Sequence, residues 1–286
     1  ILLPEVSINE RSGLDLKIPI YLNLKENLDL TIEPRLMTQR GYGITNQLRY
    51  LGKNYEGFFN SSILFDDESS FKTLERDETR WSYNLSHQQK VKNYVFFNLE
   101  TSSTGDPFYL SDLGSFMSGL SRTFVLPQRT DLTFFDKNLY VKADINSFKL
   151  TNPLGVNQFQ RMPGIEVRYF INRKNINFHL ESDLANFRKG GSFRNQEKQR
   201  VQRLILKPKF SYAFLKNNYL LETSLLVNYI YLDTNINEVS SLLPTLKLSQ
   251  SLKFYKRNKS ERLIFEPFLN VSISDQKKIL NDLMID

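Results

Sequence analysis

The side chains that could carry acid–base chemistry are few and poorly spaced for it. The chain has 2 histidines, His87 and His179, each inside a stretch of alternating polar and apolar residues. Ser86 directly precedes His87, and neighbouring residues of a strand point to opposite faces, so the two cannot form a nucleophile–base pair. The sequence contains no cysteine, no nucleophile elbow, no zincin motif and no phosphate-binding loop. We therefore predict no enzyme, no cofactor and no metal site, and expect both histidines to be solvated on a polar face.

The basic residues point to anionic partners. The formal net charge is +7, and residues 198–216 carry six basic side chains and no acidic one. Arg203, Lys207 and Lys209 share one parity, opposite the parity of Leu204 and Leu206, so the cations would face water and attract phosphorylated groups. The competing interpretation is that these cations have no specific ligand. They would then be part of the mixture of charges that lines the inside of any water-filled β-barrel. The candidate water-facing basic residues are Lys17, Arg35, Arg49, Arg203, Lys207 and Lys209.

These residues must lie on β-strands, because the dominant pattern of the sequence is an alternation of apolar and polar residues with a period of two. In residues 13–37, aliphatic side chains alternate with polar ones through two segments separated by a tight turn. Similar segments recur as far as residue 273 and predict about fourteen strands, most of them about ten residues or longer. Strands of that length are typical of transmembrane barrels, and aromatic residues cluster at their ends. A soluble sandwich or solenoid would also alternate.

Each of the first two strands carries a proline near its middle. Pro19 and Pro34 cannot donate a backbone hydrogen bond, so both predict weakened pairing of these strands. The competing interpretation is that they only bend the strands or prevent aggregation through an edge.

The ends of the chain indicate a piece of a longer protein. The first residue is isoleucine, residues 1–12 read as a lead-in, and residues 13–286 as the N-terminal part of a barrel. Residues 280–286 read as a loop or short helix rather than a closing strand. The predicted fold is therefore all-β, an incomplete antiparallel up-and-down wall of a transmembrane β-barrel.

Several segments resemble the opening of the barrel of the LptD family of lipopolysaccharide-assembly proteins. They are KIPIY at residues 17–21, DLTIEPRLM at 29–37, Arg40-Gly41, Arg80-Trp81 and DPFYLSDLG at 106–114. The similarity extends over essentially the whole chain and is most specific in its first 115 residues. It implies the N-terminal half of the family's barrel, located in the outer membrane of a Gram-negative cell.

The resemblance also implies a function and partners. Members of this family release lipopolysaccharide through a lateral gate between the first and last strands, and Pro19 and Pro34 match the prolines that weaken it. The implied partners are lipopolysaccharide, an LptE-like lipoprotein plug, and an LptA-like periplasmic bridge reached through a preceding domain; nucleic acid is not among them. A general porin or receptor barrel, and a soluble β-sandwich that binds acidic glycans, remain as alternatives.

Overall fold

The computed structural model describes residues 2–68, 78–113, 125–151, 158–189, 199–216, 219–234, 238–255 and 262–273, which form an all-β fold with one short helix. The strands are β1 (Glu5–Asn9), β2 (Gly13–Lys17), β3 (Ile20–Lys25), β4 (Leu28–Met37), β5 (Gly41–Leu51), β6 (Tyr55–Phe65), β7 (Arg80–Lys92), β8 (Val95–Thr104), β9 (Val125–Asp136), β10 (Leu139–Leu150), β11 (Gln160–Arg173), β12 (Ile176–Lys189), β13 (Gln199–Lys216), β14 (Tyr219–Thr234), β15 (Glu238–Tyr255), β16 (Arg262–Phe265) and β17 (Phe268–Ser272). The helix is α1 (Tyr109–Leu113). Within these ranges, no helix has the length and apolar character needed to cross a membrane.

The chain divides into two compact units. The first contains β1–β8, α1 and parts of β9 and β10, and the second contains the rest of those two strands and β11–β17. In the first unit, successive strands from β4 to β8 pair antiparallel, as do β12–β15 in the second. The prediction of an all-β, antiparallel, incomplete barrel wall is confirmed.

The described part of the chain has three more strands than the sequence predicts, and each has a local cause. One is β1, which lies in the predicted lead-in and pairs with β2. The second arises because the first long strand is divided into β2 and β3 at Ile18 and Pro19. The third arises because the last predicted strand is divided into β16 and β17 at Glu266 and Pro267. In two of the three cases, the division therefore falls at a proline, a residue without a backbone donor. Residues 280–286 lie outside the described residues.

The predicted alternation places polar and apolar side chains on opposite faces. Across β4–β7, one row of cross-strand partners consists of Leu30, Leu48, Phe59 and Leu85. The adjacent row consists of Thr31, Gln47, Asn60 and Asn84. We call the face of the first row the apolar face of this unit and that of the second row its polar face. Large side chains of the apolar face are widely exposed, as at Leu36 (50%) and Tyr42 (54%), which suits contact with lipid.

A small cluster of buried apolar residues lies at one end of the polar face of the first unit. It consists of Met37, Leu64, Tyr109, Leu110, Leu113 and Leu126. Met37 ends β4 and Leu64 lies near the end of β6, so α1 packs over the polar face where these strands end. Turns of the other end, such as residues 25–28 and 51–55, are short.

Candidate functional site

The first long strand is interrupted in the middle of its pairing with β4. β2 pairs with β4 as far as Lys17 and Arg35, and β3 resumes the ladder at Ile20 and Ile32. The register is the same on both sides, so the interruption adds no residue to either strand. The ladder of this seam, the line along which β2 and β3 meet β4, thus has a gap of two residues, Ile18 and Pro19.

Pro34 removes a hydrogen bond from this seam. The amide of Ile18 donates to the carbonyl of Pro34 at 3.1 Å. In an antiparallel ladder, the two residues of such a pair normally exchange two bonds. Pro34 has no N–H, so the return bond to the carbonyl of Ile18 does not form. β4 itself remains continuous from Leu28 to Met37, so Pro34 acts by the loss of one donor and not by breaking its strand.

Pro19 acts on the opposite edge of the same strand. Because ladder bonds alternate in direction along a strand, the nitrogen of Pro19 points away from β4 when the amide of Ile18 points towards it. On that edge, β1 pairs with β2 only from Gly13 to Lys17. Among the described strands, β3 pairs with β4 alone. The two prolines therefore affect different edges, which the sequence alone did not reveal.

The predicted basic residues of the first unit lie on the polar face, each beside a carboxylate. Arg35 makes a bidentate pair with Asp15 at 2.6 and 2.8 Å, and both side chains are largely buried. Lys17, the cross-strand neighbour of Arg35, contacts Glu5 of β1 at 2.9 Å. Charge pairs therefore join β1, β2 and β4 beside the interruption.

Arg49 makes a bidentate pair of the same type with Asp29 at 2.9 Å. The Arg49 side chain is 56% exposed, so its pair is solvated. An exposed pair of this kind contributes about 0–1 kcal/mol to stability, which makes it a useful reference for the buried pairs.

The predicted basic residues of the second unit share one face of β13, as their parity requires. Arg203 contacts Asp183 at 3.2 Å, and its guanidinium lies 4.8 Å from the ring centre of Phe187. Lys207 is the cross-strand partner of Glu181, and Lys209 that of His179. The structure thus places these cations along a strand face that also carries acidic and neutral side chains.

The structure contains an ion-pair cluster that the sequence analysis did not predict. Arg40 follows β4, Arg80 begins β7, and both side chains are almost completely buried. Arg40 binds Asp67 and Asp112, with shortest distances of 2.6 and 2.8 Å. Arg80 binds Asp67, Asp106 and Asp112 at 2.9, 2.8 and 2.6 Å. These charge-assisted bonds attach α1 and the segment before it to the ends of β4 and β7.

The electrostatics of the cluster favour the ionised form of Asp112. Burial alone would raise the pKa of Asp112, but the hydrogen bonds donated by Arg40 and Arg80 outweigh it and lower that pKa to about 2. The aspartates lie 27 to 72 residues from Arg40 along the chain and 13 to 32 from Arg80. The available sequence signal was the presence of arginines where alternation stops, beside loops rich in acidic residues.

His87 does not lie on the polar face, so that expectation was wrong. It is the cross-strand partner of Gly57 and Leu99, on the apolar face. Its Nδ1 and the hydroxyl of Tyr50 are 2.8 Å apart, and the centre of the Tyr55 ring lies 6.4 Å from that of the imidazole, with the two planes inclined by 29°. The histidine therefore belongs to an aromatic cluster near a tight turn, as in the interfacial belts of membrane barrels. His179 lies with Lys209 and contacts Glu181 at 3.7 Å.

Together these features define a class of protein. Long antiparallel strands, one polar face, and an opposite face of exposed aliphatic and aromatic side chains are the properties of a transmembrane β-barrel wall.

Comparison with known proteins narrows the class to a family. The family model "LptD: LPS transport system D" matches residues 78–272, and the chain belongs to this family. The LPS-assembly protein LptD of Cupriavidus necator is 25% identical over 260 residues, covering 88% of this chain and 31% of that protein. The LptD of Ralstonia nicotianae is 26% identical over 268 residues, with the same shares of each chain. The LptD of Pseudomonas syringae pv. syringae is 27% identical over 207 residues, covering 70% and 22%.

The chain thus spans at most 31% of the length of these relatives. Among solved structures, a "Bacterial polysaccharide outer membrane secretin" is similar at a TM-score of 0.32 and 9% identity, covering 91% of this chain and 89% of that one. A similarity at that level carries no argument about this chain.

Proposed function

We propose that this chain is part of an outer-membrane translocon that assembles lipopolysaccharide into the outer leaflet through a lateral gate beside β2 and β3. Membership of the LptD family supports a role in lipopolysaccharide transport. The relatives named above are lipopolysaccharide-assembly proteins. The names of the family and of these relatives refer to transport and assembly, which supports a non-enzymatic role.

The observation that carries the gate is the weakness of the first seam. Ile18 has one hydrogen bond where a regular pair would have two, and the ladder is interrupted there. A lost hydrogen bond is worth about 1 kcal/mol net in water, and more at bilayer depth, where the orphaned carbonyl has no solvent partner. The loss of about 1 kcal/mol is small compared with the stability of a whole barrel. It is large compared with the stability of a local seam that is held by a few hydrogen bonds. Pro19 adds the same loss on the outer edge of this strand, where a lipid would leave.

The partners follow from the same proposal. Lipopolysaccharide is the cargo, an LptE-like lipoprotein would occupy the lumen, and an LptA-like periplasmic bridge would deliver the cargo through a domain that precedes this chain. The outer membrane of a Gram-negative cell is the proposed location. The alternation of a polar face with an exposed apolar face supports that location, because it suits a wall between lipid and water.

Restoring the two donors tests the gate. Pro19→Ala and Pro34→Ala are introduced together in the full-length protein, and surface lipopolysaccharide and barrel assembly are measured. A matched control is Pro208→Ala, which removes a mid-strand proline of β13 in the other unit. The gate requires normal assembly with impaired export in the double variant, and normal export in the control. Normal export in the double variant would leave the prolines only a role in bending.

A further inference from the structure

A small polar pocket lies on the polar face of the first unit, beside the interrupted seam. Its volume is about 120 Å³, and the described residues that line it are Thr31, Glu33, Thr45, Asn46, Gln47 and Asn60. Thr31, Gln47 and Asn60 belong to the polar row defined above, and Glu33 and Thr45 are cross-strand partners in the next row. Asn46 has the opposite parity, so the other five side chains lie on the polar face. The pocket therefore covers two adjacent rows of β4, β5 and β6.

Two oxygen atoms of this pocket are buried without a hydrogen-bond partner among the described residues. They are Oε1 of Glu33 and Oδ1 of Asn60. Asn60 is only 8% exposed, so its side chain has little access to solvent outside the pocket. Buried acceptors are nearly always paired, because an acceptor that makes no hydrogen bond loses its hydration without compensation. The pocket therefore presents two strong oxygen acceptors to a ligand.

The interruption of the first strand explains why Glu33 lacks a partner across the seam. β2 and β3 share one register with β4, and this register places Glu33 opposite Pro19. The ring of Pro19 has no polar side-chain atom and cannot donate a hydrogen bond. On the other side, the cross-strand partner of Glu33 is Thr45, whose hydroxyl lies 3.1 Å from that of Ser62. The carboxylate therefore faces the pocket without a cation beside it in its own row.

The charges around Glu33 leave one negative charge over. Glu5 pairs with Lys17 at 2.9 Å, and Asp15 pairs with Arg35 at 2.6 Å. Glu33 has no ion pair within the part of the chain that the structure describes. Three carboxylates therefore lie beside two cations, and the excess negative charge lies at the pocket. An electrostatic excess of this sign favours a cationic ligand and disfavours an anionic one.

The size and chemistry of the pocket favour a metal ion over an organic cation. Its volume is well below the roughly 300–1,000 Å³ of small-molecule sites. The carboxylate can supply two oxygens and each of the other four side chains on this face one, which reaches the six that calcium needs at least. Calcium accepts neutral oxygens in irregular geometry, whereas magnesium requires a near-ideal octahedron and gives up its waters reluctantly. Side chains from three strands fit the first ion better than the second.

We propose that this pocket binds a calcium ion, with Glu33 as the charged ligand and Asn60 as the main neutral ligand. Because only one carboxylate takes part, the affinity should lie in the weak range, with a Kd of about 10⁻⁴–10⁻³ M. The ion would join β4 to β5 and β6 and would neutralise the carboxylate that lies opposite Pro19. It would thus hold the β4 side of the seam to the rest of the wall. The inference goes beyond the proposed function and does not require the gate.

Isothermal titration calorimetry of the full-length protein in detergent tests the site, after divalent ions have been removed with a chelator. We expect CaCl2 to bind with the weak affinity given above. Glu33→Gln should weaken binding by about tenfold or more, because the one charged ligand is lost. Asn60→Asp should tighten it by about tenfold, because a second charged ligand is added. The matched control is Glu100→Gln, which removes a carboxylate from the polar face of β8 outside the pocket and should leave the affinity unchanged.

Each result decides a part of the proposal. Absence of calcium binding would overturn the site and leave the pocket to water, as would equal losses in Glu33→Gln and Glu100→Gln. Asn60→Asp keeps the test decisive if Glu33→Gln does not fold, since an unchanged affinity in that variant would also overturn the site. Equal binding of MgCl2, or an equal effect of NaCl at the same ionic strength, would overturn the choice of calcium. Export in the proline variants is measured separately, so failure of the gate and failure of this site are distinguishable.

Discussion

Pro34→Ala and Pro19→Ala should differ in their effect on the seam between β3 and β4, although both remove a proline from the same region. Pro34→Ala supplies a donor opposite the carbonyl of Ile18, whose amide already donates to residue 34 at 3.1 Å. Pro19→Ala supplies a donor that points to the other edge. The second variant is therefore a matched control, because it loses the same ring without adding a bond to this seam.

The expected difference in seam stability between the two variants corresponds to one hydrogen bond. A restored backbone bond contributes about 1 kcal/mol net. Replacing a proline also increases the freedom of the open chain, which costs about 0.4–1 kcal/mol. That cost is common to both variants and cancels in the comparison. The opening equilibrium of the seam should therefore be about fivefold smaller in Pro34→Ala than in Pro19→Ala.

Amide hydrogen exchange of the full-length protein in detergent measures this directly. The amide of Ile18 reports on the seam, because it donates across it to residue 34. Its exchange should be about fivefold slower in Pro34→Ala than in Pro19→Ala. Equal protection in the two variants, or greater protection in Pro19→Ala, would refute the assignment of the prolines to opposite edges.

Three further predictions concern the ion-pair cluster and the apolar face. Arg80→Gln leaves the buried Asp106 without its arginine and leaves Arg40 alone to pair with Asp67 and Asp112, so it should lower the free energy of unfolding by about 3–5 kcal/mol. Arg49→Gln, at an exposed pair, should cost about 0–1 kcal/mol, and equal losses in urea unfolding would contradict the role of burial. Because the pKa of Asp112 is lowered to about 2, its contribution is fully present above its ordinary value of 3.8 and is lost as the pH falls through 2. Protease protection of α1 should thus be constant from neutral pH to about pH 5, and loss within that interval would point to another titrating group. Gly57→Ala places a Cβ 2.4 Å from the hydroxyl of Tyr50 and from a backbone oxygen, and should destabilise by about 1–3 kcal/mol. Thermal unfolding measures this loss, and an unchanged midpoint would mean that the chain adjusts freely there.

Much of the fold could be predicted because strand alternation is a local property. Residues 28–37 alternate strictly, and the structure has β4 at the same bounds. Weakened pairing near Pro19 and Pro34 was predictable for the same reason, since a missing donor is a property of the residue itself. The additional strand β1 was missed although Val6 and Ile8 alternate with polar residues there, because an alternation of only five residues just after Pro4 is a weak signal.

The same distinction between local and long-range properties holds for the candidate site residues. The sequence by itself determined which face each side chain of a regular strand occupies, as for Arg35 and Arg203, because side chains alternate in a strand. It misplaced His87, whose polar neighbours belong to a stretch where parity and polarity disagree.

Only the tertiary structure decided which charges meet. Arg40 and Asp112 are 72 residues apart in the chain and 2.8 Å apart in space. It also decided that Arg35 is neutralised by Asp15, a residue 20 positions away along the chain. The physical reason is that alternation depends on neighbouring residues alone, whereas ion pairing and hydrogen-bond direction depend on the register between strands that are distant in sequence.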